Sequence, residues 1–406
     1  METRLHSQFP KELRANRKML LGIEDHNVFC SRLAVRLVRK INIYERKFSS
    51  EPLILVKEVN NNSVVTLNRP KALNSLTAAL NIELYKVLKE LEQRRSLLIL
   101  KGAGDRAFCS GGDLLKIKEA AETKNIQYLN EMTLYSHLNP YVILKYKIPV
   151  IVLMNGFTFG GGAGLSIFCK YRIATEKTKF AMPEAKIAFH PNVAGTFFLN
   201  RAPGRLGYYM ALTGNSINGS DVLRAGFATH FCLSNKIDKI ENELLNCSDE
   251  IDVKNVLENN CEKSFPEFSL GSTMDKINEC FSGDTVEDIF YKLEQDGSTW
   301  AKETLEMMRK YSPSCLKVIL RQLQIGKNMS VADCLVMESN LTVNFHNFPD
   351  AIEGTRVVLV DRQDSPQWNP SQLSDVTEEL IQGHFKPAIG EKLRKFLNEI
   401  DNSLER

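Results

Sequence analysis

Three segments of the chain carry residues whose types and spacing could do chemistry. AFCSGGDL at 107–114 and NGFTFGGGAGLS at 155–166 each follow an apolar run and are rich in glycine. Glycine-rich turns between a strand and a helix leave backbone N–H groups pointing outward. Two such donors that converge on one carbonyl oxygen form an oxyanion hole, which glycine lets a substrate approach closely. The third segment, FAMPEAKIAFHPNVAG at 180–195, supplies an acidic side chain, Glu184.

Other glycine motifs do not fit these segments. A dinucleotide-binding fingerprint requires GxGxxG, whereas residues 160–165 read GGGAGL. The GK[ST] ending of a phosphate-binding loop does not occur in the sequence. A GxSxG nucleophile elbow fails because Ile167 and Phe168 follow Ser166. A tight turn that serves only the packing of a helix on a strand stays open for each glycine taken alone.

Length and composition are those of an ordinary globular chain. The 406 residues are 43% hydrophobic and 25% charged, which excludes disordered, collagen-like and polytopic membrane proteins. A net charge of +3 gives no support for nucleic acid as a partner. The cysteines form no CxxC pair and the histidines no HxH or HExxH spacing, so we predict reduced thiols and no metal site. The uncharged run at 148–169 contains five glycines, and we expect a buried strand, a turn and a helix there rather than a membrane span.

Strand and helix patterns alternate through the first half of the chain. Apolar alternation predicts two short strands within 53–67, and helical spacing predicts a helix over 77–94. A buried strand at 97–102 precedes a helical stretch at 114–146 that contains one break, and another buried strand follows at 148–156. This alternation predicts an α/β core.

The second half of the chain has few strand signals. Residues 299–345 predict two amphipathic helices separated at Ser312-Pro313-Ser314, and a last helix is expected at 388–404. We therefore predict three parts, which are an N-terminal basic segment (1–50), a core with the oxyanion hole (51–232) and a mostly helical region (233–406).

The N-terminal segment is basic and amphipathic. Residues 28–50 contain six basic residues and one acidic residue, Glu45. This composition is typical of a mitochondrial transit peptide and predicts the mitochondrial matrix as the location. A basic surface helix or a disordered arm is the alternative.

Taken in order, AFCSGGD, GxxxGGGAGLS and AMPEAKIxxxPNVAG resemble the crotonase superfamily. VADCLVMESNL and the stretch EGTRVVLVDRQDSPQWNP at 353–370 make its 3-hydroxyisobutyryl-CoA hydrolase subfamily the closest match. The resemblance implies an α/β fold, a spiral of ββα repeats with a helical C-terminal region. It also implies an acyl-CoA thioester as substrate, so that CoA is part of the substrate and no cofactor is expected. A homo-oligomer stays open, and neither nucleic acid nor a membrane is expected as a partner.

Carried over by position, the resemblance assigns roles to individual residues. The backbone N–H groups of Ser110 and Gly161 would bind the thioester carbonyl oxygen, and Glu184 and Asn192 would be the catalytic side chains. The loop 71–74 would lie along the CoA moiety. The substrate-binding positions are Ala72, Gly111, Gly112, Asp113 and Gly162.

Three positions bear on the reaction: Gly164 matches the hydrolase subfamily, whereas Asn192 and Ser136 depart from it. Gly164 stands where a hydratase has its water-positioning glutamate, which argues against hydration. Asn192 stands where the hydrolase has aspartate, and Ser136 stands where a substrate-binding glutamate is expected, with Glu131 as the nearest carboxylate. An amide can hold a water or a hydroxyl but cannot carry a proton. Two functions are therefore weighed: hydrolysis of a short branched acyl-CoA, and a catalytically impaired relative that acts as a binding or assembly component of a mitochondrial complex.

Two mechanisms are open to an active hydrolase. Glu184 could attack the carbonyl carbon to give a mixed anhydride that water then opens. Alternatively, Glu184 could act as a general base on a water that Asn192 holds. His190 as a substitute base is a third hypothesis, and a plain turn residue beside Pro191 is its structural alternative.

The shape of the pocket discriminates the two functions. An open pocket in which Glu184 faces Ser110 and Gly161 favours the hydrolase. A pocket filled by Phe189 or Phe197 favours the binding protein.

Overall fold

The computed structural model describes residues 52–92, 96–359 and 365–404. The predicted basic segment at 1–50 lies outside these residues. The chain from Leu53 onward forms one compact unit.

Ten strands within the described residues build the layered core. They are β1 (Ile54–Val59), β2 (Asn62–Leu67), β3 (Leu97–Gly102), β4 (Ala107–Cys109), β5 (Val150–Met154), β6 (Phe157–Phe159), β7 (Tyr171–Thr175), β8 (Lys179–Ala181), β9 (Ile217–Asn218) and β10 (His230–Cys232).

The strands divide between two sheets. One sheet has the order β1-β2-β3-β5-β7-β10 and the other has the order β4-β6-β8-β9. Neighbouring strands are parallel, except for the antiparallel pairs β1–β2 and β8–β9. β3, β5 and β7 belong to the larger sheet, and the strand that follows each of them along the chain (β4, β6 and β8) belongs to the smaller one. The predicted spiral of ββα units is confirmed by this arrangement.

Seven helices within the described residues complete the turns of the spiral, and the first four of them lie close to the predicted positions. Thr77 accepts a hydrogen bond from the Leu80 N–H at 3.2 Å and caps the first helix, and Asn125 caps the third after the predicted break. These helices are α1 (Ala78–Leu91), α2 (Leu114–Glu122), α3 (Ile126–Lys145), α4 (Gly161–Ile167), α5 (Gly195–Leu199), α6 (Leu206–Thr213) and α7 (Asp221–Arg224).

The C-terminal region is helical, as predicted, but residues 299–345 hold three helices where two were predicted. The additional break follows Gly326, and the Ser330 hydroxyl accepts the Asp333 N–H at 3.1 Å to start the next helix. The helices of this region are α8 (Ile237–Leu244), α9 (Glu250–Asn260), α10 (Met274–Cys280), α11 (Val286–Asp296), α12 (Thr299–Met308), α13 (Pro313–Gly326), α14 (Val331–His346), α15 (Pro349–Leu359), α16 (Glu378–His384) and α17 (Gly390–Leu404).

The C-terminal helices pack directly on the layered core. Both α14 and α17 contact α3, and one hydrophobic cluster joins Leu138 of α3 to Leu341 of α14 and Leu397 of α17. The division of the chain at residue 232 stays a prediction. The uncharged run at 148–169 forms β5, β6 and α4, and no helix within the described ranges is long and apolar enough to cross a membrane.

Candidate active site

The two glycine-rich turns and the acidic segment meet at one pocket with a cavity volume of about 150 Å³. The turns lie side by side, because a side chain at Gly161 would come within 3.8 Å of the Gly111 Cα. The predicted site residues that line this pocket are Ser110, Gly111, Gly112, Gly161, Glu184 and Asn192.

The structure corrects one of the two predicted N–H donors. The Ser110 N–H already donates to the Leu73 carbonyl oxygen at 3.0 Å, so it anchors the turn. Gly112 follows it in the pocket wall, and its N–H has no acceptor within the described part of the chain. The N–H of Gly161, the first residue of α4, likewise has no acceptor there. The two N–H groups available to a carbonyl oxygen are therefore those of Gly112 and Gly161.

Three of the predicted substrate-binding residues do not line the pocket. Asp113 caps α2 by accepting the Lys116 N–H at 3.2 Å, and it pairs with Arg69 at 2.8 Å. Gly162 lies against β4, where an added Cβ would be 2.3 Å from the Cys109 carbonyl oxygen. Ala72 ends a short 3-10 helix outside the pocket wall, and contact of its loop with CoA stays a prediction.

Glu184 is a buried carboxyl group that faces the cavity. Its side chain lies over Gly160, where an added Cβ would come 2.7 Å from the Glu184 Oε1 atom. Its Oε2 atom is buried and has no hydrogen-bond partner among the described residues. Burial, and to a smaller extent the nearby carboxyl of Glu338, raises the pKa of Glu184 to about 8. Such a group exchanges protons near neutral pH, as a catalytic base must.

Asn192 lines the same pocket and belongs to a strained loop. The next two residues, Val193 and Ala194, have φ values of 55° and 68°. A left-handed conformation is unfavourable for a β-branched residue such as valine and occurs where the surrounding structure enforces it. The strain therefore lies directly beside a residue that lines the pocket.

Gly164 makes room for this loop. An added Cβ at Gly164 would lie 2.4 Å from the Val193 carbonyl oxygen and 2.5 Å from its Cγ1 atom. A hydratase-type glutamate at this position would collide with the loop that carries Asn192. The glycine is thus required by the packing of the site.

Gly164→Ala is therefore expected to destabilise the fold by about 1–3 kcal/mol, because even one methyl group overpacks this contact. Urea unfolding measures the free energy of unfolding. The matched control is Gly383→Ala in α16, where an added Cβ meets nothing within 4 Å. It should be neutral or stabilise by about 0.5–1 kcal/mol. Equal stability of the Gly164→Ala protein and the parent would contradict a fixed loop.

Neither Ser136 nor Glu131 supplies a second carboxylate to the pocket. Ser136 lines the wall and donates to the Thr133 carbonyl oxygen at 2.9 Å. Glu131 is turned outward and accepts a hydrogen bond from Gln127 at 2.9 Å. The carboxyl groups that line the pocket are therefore Glu184, which is buried, and Glu122 of α2, which is paired with Lys118.

His190 does not act as a substitute base in this geometry, and that hypothesis is wrong. The ring is fully buried, with Nε2 3.0 Å from the Thr342 hydroxyl and Nδ1 3.1 Å from the Pro191 carbonyl oxygen. Burial holds its pKa well below the usual range, so the ring stays neutral. It does not line the pocket.

The aromatic side chains leave the pocket open. Phe189 forms part of the wall and stacks on His346, with ring centroids 5.8 Å apart. Phe197 packs against Phe168 and under the guanidinium of Arg201 instead.

Sequence reasoning missed the contribution of α14 to this site. Thr342 and His346 line the pocket, and Glu338 lies behind the Asn192 loop with no exposed surface. The signal that could have found Glu338 is a single acidic residue inside the apolar stretch CLVMESNL.

Comparison with known proteins identifies the family. Residues 62–385 match the Enoyl-CoA hydratase/isomerase family. The human protein named 3-hydroxyisobutyryl-CoA hydrolase, mitochondrial, is 42% identical over 355 residues, which cover 84% of this chain and 90% of that protein. The chain belongs to the crotonase family. The Rattus norvegicus protein of the same name is also 42% identical and matches 82% of this chain and 88% of its own length.

Solved structures of crotonase-family proteins share the fold. A carnitinyl-CoA dehydratase from Mycobacterium thermoresistibile has a TM-score of 0.78 at 32% identity, covering 83% of this chain and 97% of that chain. An enoyl-CoA hydratase from Rhodobacter sphaeroides has a TM-score of 0.75 at 29% identity, covering 83% and 98%. The predicted crotonase-type fold is therefore confirmed.

Proposed function

We propose that this chain hydrolyses a short branched acyl-CoA thioester, converting 3-hydroxyisobutyryl-CoA to 3-hydroxyisobutyrate and CoA in valine catabolism. The observation that carries the proposal is the buried carboxyl of Glu184 in one pocket with the unpaired N–H groups of Gly112 and Gly161. The names of the relatives supply the acyl group. The collision that a side chain at Gly164 would cause argues against hydration.

The N–H groups activate the thioester. Its carbonyl oxygen accepts hydrogen bonds from Gly112 and Gly161. Negative charge grows on this oxygen when the carbonyl carbon is attacked, so donors that are fixed beforehand stabilise the transition state. Both donors lie in turns that are held in place by the two sheets. The N–H groups therefore keep a constant direction.

Glu184 carries out the attack by one of two routes. As a nucleophile, its carboxylate forms a bond to the carbonyl carbon while the C–S bond breaks, and water then hydrolyses the mixed anhydride. As a general base, it removes a proton from a water that Asn192 holds, and that water adds to the carbonyl carbon before the C–S bond breaks. The departing CoA thiolate takes up a proton in both routes. Both routes require the ionised form of Glu184.

The neutral side chains at two positions support a second candidate function. Asn192 and Ser136 cannot carry protons at positions where the hydrolase pattern has carboxylates. A chain disarmed in this way would bind acyl-CoA without turnover and would serve as a binding or assembly component of a mitochondrial complex. The mitochondrial matrix is the proposed location in either case, on the basic composition of residues 28–50 and the relatives' names.

The experiment that tests the proposal is release of CoA from 3-hydroxyisobutyryl-CoA by the full chain, followed with a thiol reagent. We expect turnover, and a lower kcat/KM for isobutyryl-CoA, because polar groups that bind the substrate hydroxyl would be left unpaired. Equal values for the two substrates would contradict recognition of the hydroxyl. Binding of both thioesters without release of CoA would contradict the hydrolase function and would support the binding or assembly function instead.

A further inference from the structure

The loop that carries Asn192 is kept in its strained conformation by C-terminal helices. Val193 and Ala194 occupy left-handed backbone conformations, and so does Ala188 at the start of the loop, with a φ of 50°. A free loop would relax from such angles because a side chain at Cβ crowds the following carbonyl oxygen. Contacts with neighbouring elements must therefore supply the restraint.

Glu338 of α14 makes the strongest of these contacts. Its Oε2 atom accepts the Ala194 N–H at 2.6 Å and its Oε1 atom accepts the Thr196 N–H at 2.7 Å. The side chain has no exposed surface. Hydrogen bonds from N–H groups to a carboxylate are short and about twice as strong as neutral ones. One carboxyl group thus holds the backbone on the C-terminal side of Asn192 at two points.

Two weaker contacts hold the other side of the loop. The Gln322 side chain of α13 donates to the Pro191 carbonyl oxygen at 2.5 Å, and the Thr342 hydroxyl of α14 lies 3.0 Å from His190 Nε2. The Asn192 position is therefore bracketed by groups from α13 and α14.

We propose that Glu338 is a positioning residue for the reaction, which fixes the strained Val193–Ala194 backbone and so directs Asn192 into the pocket toward the thioester. This inference rests on the proposed hydrolase function. Glu338 touches the loop and does not line the pocket, so it acts through Asn192. On this account the C-terminal helices complete the active site, because the layered core supplies the N–H groups and Glu184 but not the restraint on Asn192.

Glu338 also acts on Glu184 through its charge. Other ionisable groups face the two carboxyls: His137 of α3 has its Nε2 atom 4.0 Å from Glu338, and Cys334 precedes Glu338 by one turn. Cys315 of α13 lies near Glu184. Burial lowers the pKa of His137 to about 4, and it raises those of both thiols, so these groups are neutral near pH 7. Burial raises the pKa of Glu338 itself to about 7, which is below that of Glu184, so Glu338 is the charged neighbour of Glu184 over the pH range in which Glu184 ionises.

Glu338→Gln tests the proposal, because glutamine keeps the volume but offers one acceptor where two N–H groups need one each. We expect kcat for 3-hydroxyisobutyryl-CoA to fall roughly 10- to 100-fold with a small change in KM, as for a misplaced catalytic group. The acidic limb of the pH profile should move to lower pH, since the pKa of Glu184 falls when the charge is removed. Amide hydrogen exchange at Ala194 and Thr196 should become about tenfold faster.

Asp221→Asn is the matched control. Asp221 is also a buried carboxylate that accepts a backbone N–H, that of Ser269 at 3.0 Å, but it does not line the pocket. Its replacement should lower stability and leave kcat and the pH profile as in the parent.

The outcomes separate the two proposals. Normal kcat and an unmoved pH profile in the Glu338→Gln protein, beside an active parent, would overturn the positioning role alone. Unchanged exchange at Ala194 and Thr196 would overturn the contact itself. An inactive parent would overturn the hydrolase function and any role of Glu338 in it. The hydrogen-exchange measurement would still show whether Glu338 holds the Ala194 and Thr196 N–H groups.

Discussion

Glu184→Gln is expected to lower CoA release roughly 10²- to 10⁴-fold and, in the same protein, to make the fold more stable above neutral pH. The two effects have opposite signs but one physical cause. The Glu184 carboxyl is buried beside the N–H donors, with one oxygen atom that has no partner within the described residues. Burial without a partner makes the ionised carboxylate reactive, and it also makes that ionised form unfavourable for the folded state. Glutamine keeps the shape of the protonated acid and cannot ionise.

The sign of the stability effect follows from the pKa of Glu184. The folded chain holds the proton up to about pH 8, whereas an unfolded chain releases it near the usual value of 4.5. The stabilisation from this proton is complete below pH 4.5 and is lost as the pH rises through 8. Each pH unit in that window lowers the free energy of unfolding by about 1.4 kcal/mol. The glutamine variant escapes this loss, so its advantage over the parent should grow from pH 4.5 to 8.

Thermal unfolding and CoA release, both measured from pH 5 to 9, test this prediction. In the parent, kcat should rise with pH and level off above about 8, as Glu184 ionises. The control is Glu241→Gln, because Glu241 is equally buried at 8% exposure but pairs with Lys101 away from the pocket. It should keep kcat and lower the stability of the fold, because the ion pair with Lys101 is lost. A Glu184→Gln protein that turns over normally would remove Glu184 from the reaction.

The sequence predicts those helices and strands whose apolar patterns are long enough to show a periodicity. Thr77 before an apolar helical stripe placed α1, and the apolar runs of the first half placed β1, β2, β3 and β5 of the larger sheet. The other two strands of that sheet, β7 and β10, were not predicted. The smaller sheet was not predicted, because strands of three residues such as β4 and β6 are too short for alternation to show. The break after Gly326 was missed because helical periodicity continues on both sides of it.

The candidate site was predictable in residue type and less so in geometry. Glycine-rich turns located the N–H groups within the right segment, but only coordinates show that the Ser110 N–H is already used and that of Gly112 is not. Glu338 could not be assigned because it lies 144 residues from its partner Ala194 along the chain. The spacing of residues along the sequence indicates which of them are neighbours on one helix or strand. The packing of α14 on the Asn192 loop is a long-range tertiary contact, which such spacing does not indicate.

Asn192→Asp is expected to raise kcat roughly 10²- to 10⁴-fold, because it adds a proton carrier to a pocket whose other lining carboxyls are Glu184 and the Lys118-paired Glu122. The surrounding loop is already fixed, so the new carboxylate would occupy the place of the amide. A second negative charge near Glu184 would raise the pKa of Glu184 further. The pH at which kcat levels off should therefore move upward, and stopped assays of CoA release across the pH range would measure both changes.

Two further proteins decide what such a gain means. Asn246→Asp makes the same chemical change on an exposed residue remote from the pocket and should leave kcat unaltered. The double variant Glu184→Gln, Asn192→Asp should stay inactive if the aspartate only relays protons for Glu184. Full activity in the double variant would make the aspartate sufficient by itself and Glu184 dispensable. A lower rate in Asn192→Asp than in the parent would show instead that the amide N–H donors of Asn192 take part in the reaction.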